Sequence, residues 1–132
     1  MKPFSRGEPS APPGACLPQD VLIVEDDLLI ALDMEEAILR LGARTVRTAT
    51  SVAQALEMLA ARKPDFALLN INLGNETSLA IAERLDSLGV RFGFVTGHGA
   101  RATLLARFAD RPKLDKPHAA HELEKMLKTW AA

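Results

Sequence analysis

At 132 residues, 48% hydrophobic and 25% charged, the chain has the length and balance of one globular domain with its own core. A formal net charge of -1 gives no attraction to nucleic acid or an anionic membrane, and the one cysteine, Cys16, excludes an internal disulfide. Lys2 and Arg6 have no apolar stretch behind them, and no run approaches the roughly 18 apolar residues of a membrane span, so a soluble cytoplasmic protein is expected.

Residues 1–19, with Pro3, Pro9, Pro12, Pro13 and Pro18 among them, have little to bury and predict a disordered leader ahead of one folded domain over 20–132. Val21-Leu22-Ile23-Val24 is a continuously apolar run rich in β-branched residues, the pattern of a strand buried on both faces. Asp27 opens a helix with Ile30, Met34, Ala37, Ile38 and Leu41 on one face, and Gly42 stops it. A second strand is expected near Thr45–Thr48. Ser51 and Gln54 make a capping box for a helix carrying Val52, Ala55, Leu56 and Leu59. Phe66-Ala67-Leu68-Leu69 reads as the third strand, followed by a helix with Ile81, Leu85 and Leu88 before Gly89. Arg91 to Val95 supplies the fourth strand, Thr103–Phe108 a short helical stretch, and Lys113–Asp115 a brief fifth strand. The last helix places Leu123, Met126, Leu127 and Trp130 at i, i+3, i+4 and i+7.

Five strands alternating with five helices predict a doubly wound parallel sheet, whose chemistry gathers at the carboxyl ends of the strands. Those ends carry Glu25-Asp26-Asp27, then Asn70 with Asn72, then Thr96-Gly97, then Lys116-Pro117. Each has a plainer reading: a complement to a helix N-terminus, turn chemistry, the start of a helix, a solvated lysine. Polar groups that end four different core strands are hard to explain as independent caps.

With those residues in place, the chain from about 20 to 130 resembles the receiver domains of two-component signalling. The segments that carry the resemblance are Val21 to Asp27, Leu68 to Leu73, Val95-Thr96-Gly97 and Lys116-Pro117. It implies a flavodoxin-like (βα)5 fold with strand order 2-1-3-4-5. It implies that Glu25 and Asp26 help hold a divalent cation, with the Asn72 carbonyl completing the shell, and that Thr96 and Lys116 contact a phosphoryl group. Residues Asn72 to Ser78, Phe94 to Gly97 and Pro112-x-x-x-Lys116-Pro117 are also similar to the FATGUY group of receivers. That group is largely alphaproteobacterial, and several members are stand-alone regulators linked to general stress signalling.

The chain departs from this pattern twice. Asn70 stands at the phosphoacceptor position, and a carboxamide is a neutral, far poorer nucleophile than a carboxylate and removes one anionic oxygen from a Mg²⁺ shell. Lys113 stands where switch receivers usually carry an aromatic lever. A pseudo-receiver is expected, not an enzyme, with a weakened Mg²⁺ site. Its output would be phosphorylation-independent binding of a histidine kinase or other signalling protein. The face from about Ala100 to Trp130, with Arg107 and Lys113, is the expected contact. Two alternatives remain open: an ordinary phosphoacceptor receiver carrying an introduced Asp-to-Asn change, and a small-ligand or cation sensor. His118 and His121 lie one turn apart without a third ligand nearby, and His98 reads as a loop residue.

Overall fold

The computed structural model describes residues 17–73, 76–96, 107–108, 110–115 and 120–128. Its main strands are β1 (Asp20–Val24), β2 (Thr45–Ala49), β3 (Phe66–Asn70), β4 (Arg91–Thr96) and β5 (Lys113–Asp115), all parallel to their neighbours in the order β2-β1-β3-β4-β5. The helices are α1 (Leu28–Leu41), α2 (Val52–Ala61), α3 (Leu79–Leu88) and α4 (Ala120–Lys128). This is the flavodoxin-like order expected from the sequence. Of the short helical stretch expected over Thr103–Phe108, only Arg107 and Phe108 belong to the described residues.

Alternation along each strand builds two cores. Leu22 and Val24 of β1 join Ala67 and Leu69 of β3 and Phe92 and Phe94 of β4 on the side covered by α2 and α3. Val21, Ile23, Phe66, Leu68 and Val95 point the other way, against Met34 and Ile38 of α1 and Leu123, Met126 and Leu127 of α4. Both faces of the sheet are covered, which is why the central strands β1 and β3 read as unbroken apolar runs. Leu17 packs against the second core and Gln19 N–H donates to Asp65 Oδ2 at 2.9 Å, so the packed chain reaches back to Leu17. Residues 1–16 lie outside the described residues.

Helix ends follow local chemistry. Asp27 Oδ1 accepts from Leu29 N at 3.0 Å and Ile30 N at 3.3 Å, so the side chain that opens α1 is committed to its first turn. Ser51 Oγ accepts from Gln54 N at 3.1 Å, while Gln54 Oε1 reaches back to Thr50 N at 2.8 Å instead of to Ser51 itself. Gly89, at φ 73°, turns the chain out of α3 where a Cβ would be strained.

Two strands run one residue beyond their apolar stretches: β3 to Asn70 and β4 to Thr96. Ladder hydrogen bonds belong to the backbone and continue under polar side chains. The polar groups are thus the last rungs of the sheet itself.

Candidate functional site

Because β1 and β3 are neighbours, the residues that end them meet. Glu25 is buried, and its N–H donates to Ala49 O at 3.0 Å, carrying the β1–β2 pairing one residue past the strand. Asn70, half-buried, donates from Nδ2 to Glu25 Oε2 at 3.0 Å and, at a longer 3.4 Å, to Asp26 Oδ1. Glu25 Oε2 also accepts from Asp27 N at 3.1 Å. A continuous set of contacts therefore runs from the end of β3, through Glu25, to the capped first turn of α1. The amide orientation follows from chemistry: turned over, its carbonyl oxygen would face two carboxylates with nothing to donate.

Thr96 ends β4 and is buried, one step past Val95, the register partner of Asn70. Asn72 begins a two-residue ribbon paired with Thr77, and its side chain lies outside the described residues, as do Lys116, His98 and His118. Of the residues singled out from the sequence, hydrogen bonds join Glu25, Asp26 and Asn70, and Thr96 sits at an adjacent strand end.

On the face expected to receive a partner, basic side chains make contacts within the chain. Arg107 pairs with Glu83 of α3, Nη1 to Oε2 at 2.6 Å, and its guanidinium lies 5.5 Å from the centroid of Phe108. Arg111 pairs with Asp86 and Asp110 and stacks 5.0 Å from the centroid of Phe92. Lys113 Nζ donates to Arg111 O at 3.0 Å. The two arginines are thus offset by carboxylates of the same chain. Spacing in the sequence does not reveal such pairs, since Arg111 and Asp86 are separated by 25 positions.

A feature the sequence reading passed over lies on α1. Leu28, Leu29, Leu32 and Leu39 are exposed, off the stripe that packs inward. A groove of about 600 Å³ is lined by Leu29, Leu32 and Leu39 with Asp33, Glu35 and Glu36. The signal was present as leucines at 29, 32 and 39, the a and d spacing of a second apolar seam.

The response regulator receiver domain family matches residues 21–128, and the chain belongs to that family. Among solved structures it is similar to SdrG from Sphingomonas melonis Fr1, at 36% identity over 86% of this chain and 97% of that one, TM-score 0.77. It is similar also to the receiver domain of PhyR from Erythrobacter litoralis, at 28% identity over 85% of this chain and 88% of that one, TM-score 0.70. The transcriptional regulatory protein PdtaR of Mycobacterium tuberculosis is 23% identical over 93% of this chain, which spans 56% of that relative's length.

Receiver domains commonly bind Mg²⁺ where phosphorylation occurs. Mg²⁺ demands oxygen donors in a near-ideal octahedron. Here Glu25 Oε2 already accepts two hydrogen bonds, and residue 70 presents N–H groups to the carboxylates. Among the described residues no group of three or more His, Cys, Asp or Glu is placed to hold a metal. In this arrangement the side chains do not fit the cation.

Asn70→Asp would replace the two N–H donors by a third carboxylate facing Glu25 and Asp26. Like charges that close disfavour joint ionisation, so a loss of about 1–2 kcal/mol near neutral pH is expected with a chelator present. Denaturant melts of both forms measure it; an equal or higher midpoint for the aspartate form would argue against crowding.

Proposed function

We propose that this chain is a receiver domain that signals by binding a partner protein without passing through an acyl phosphate. Asn70 ends the central strand at the position where the family resemblance puts the phosphoacceptor, and it offers no carboxylate nucleophile. The observation that carries the reading is the Asn70 amide donating to both carboxylates, a settled arrangement that needs no phosphoryl group. The motifs resembling the FATGUY group, with similarity to SdrG over 97% of that chain, support a regulator of that kind. Thr96 and Lys116 are remnants of phosphoryl contact on this reading.

The test is direct. Incubated with Mg²⁺ and acetyl phosphate, the unaltered chain should gain no phosphoryl mass at residue 70, and Asn70→Asp should gain it. A stable adduct mapped to this site on the unaltered chain would sink the proposal.

The partner surface the structure favours is the leucine seam of α1. Its acidic flank of Asp33, Glu35 and Glu36 is offset only in part by Arg40, which lies 3.8 Å from Glu36. The occupant that complements it is a helix of a histidine kinase or other signalling protein, apolar along one seam and flanked by Lys or Arg. A second copy of this helix is disfavoured, because antiparallel self-pairing about its middle sets Asp33 against Glu35. Photo-crosslinkers placed singly at Leu32 and at Lys113 in the native cell distinguish the two faces. The expected adduct forms from position 32 with a different protein and disappears with Leu29→Glu. An adduct only from position 113, or only between copies of this chain, would move the interface elsewhere.

A further inference from the structure

We infer that the Asn70 carboxamide takes the place of a divalent cation in this domain, bridging the acidic pair and leaving the site insensitive to Mg²⁺. The inference rests on reading residue 70 as the phosphoacceptor position, and adds how the altered site is held. A cation between two carboxylates would draw them together and fix the backbone that follows them. The amide does the same with two N–H bonds. Nδ2 lies 3.0 Å from Glu25 Oε2 and 3.4 Å from Asp26 Oδ1, so each carboxylate is contacted by the one nitrogen.

The effect reaches α1. The carboxylate oxygen that accepts from Asn70 also accepts from Asp27 N, and Asp27 caps the helix through Leu29 N and Ile30 N. The bridge therefore orients the first turn of the helix that bears the exposed leucines. A receiver built this way holds its α1 start in one geometry whatever the Mg²⁺ concentration.

Loss of a ligand and competition by a bridge make different predictions. If Asn70 merely lacks a charged oxygen, removing its side chain brings a cation no advantage. If its amide occupies the cation's role, Asn70→Ala opens the pair and Mg²⁺ binds more tightly than to the unaltered chain.

The experiment is a Mg²⁺ titration followed by the backbone and side-chain amide resonances of Glu25, Asp26, Asp27 and residue 70, in the unaltered chain, Asn70→Ala and Asn70→Asp. The unaltered chain should show two separate, slowly exchanging side-chain N–H signals for Asn70 that millimolar Mg²⁺ leaves in place. Asn70→Ala should bind Mg²⁺ at least about tenfold more tightly than the unaltered chain, and Asn70→Asp more tightly still. An alanine form no tighter than the unaltered chain would overturn the inference. So would Asn70 signals that exchange rapidly or shift as Mg²⁺ saturates, a measurement that stands even if the alanine form does not fold. A phosphoryl adduct on the unaltered chain, read separately by mass, would instead refute the phosphorylation-independent function.

Discussion

Replacing Gly93 by alanine is expected to lower unfolding free energy by about 1–3 kcal/mol, the usual penalty for overfilling a packed core. On general grounds the change should help, because glycine in a strand interior is entropically unfavourable and packs nothing. Packing reverses the sign. A Cβ at Gly93 would lie 2.9 Å from Met126 Sδ and 3.1 Å from Pro112 O. Met126 can turn aside, but it fills the core between α4 and the sheet at 5% exposure. The carbonyl of Pro112 cannot move freely, since it accepts from Phe94 N at 2.9 Å where β5 begins to pair with β4. Gly93→Val should be worse than alanine because two further methyl groups enter the same gap. Denaturant melts of Gly93→Ala, Met126→Ala and the double variant measure it. The double variant should lose less than the two single losses added together, since trimming Met126 removes much of the collision that the alanine Cβ creates. Strict additivity, or an alanine form as stable as the parent, would show that the contact is not limiting.

A comparable loss, about 2–3 kcal/mol, is expected for Asp20→Ala. Asp20 opens β1 and its carboxylate accepts from Arg47 Nε and Nη2, both at 3.3 Å, and from Arg62 Nε at 2.9 Å. The Arg47 and Asp20 side chains are each only 18% exposed, so removing the acid strands a guanidinium in a poorly solvated place. Arg47 keeps bonds to Met58 O and Arg62 O, which holds the loss below that of a fully buried pair. Arg62 is 57% exposed, and Arg62→Ala should change stability by no more than about 1 kcal/mol. Hydrogen exchange in β2, the edge strand that Arg47 belongs to, should rise in Asp20→Ala and stay near parental levels in Arg62→Ala. Equal effects of the two substitutions would mean that the cluster is merely a surface ion pair.

Both effects depend on residues brought together across the chain, which is where reading by pattern reaches its limit. Asp20 lies 27 positions from Arg47 and 42 from Arg62. No periodicity links them, and each alone reads as a solvated charge. Gly93 sits within an apolar strand run, where the sequence gives no hint that a methionine sulfur and a carbonyl close over it. The leucines of α1 had the spacing of a second seam, yet exposure is decided by whether another element covers them, and among the described residues none does.

What the sequence determined by itself was everything governed by near neighbours and by period. Apolar runs marked β1, β3 and β4, because the middle of a sheet covered on both faces leaves no polar alternation. Asp27, Ser51 and Gly89 marked helix ends, because capping and left-handed backbone depend on one or two residues. The alternation of elements also placed Glu25, Asp26, Asn70 and Thr96 at one rim. The tertiary structure alone decided how these groups meet. Pairing of β1 with β3 brings residue 70 against residues 25 and 26, and a neutral amide between two carboxylates can only donate. Long-range register set the Asn70 amide against both carboxylates.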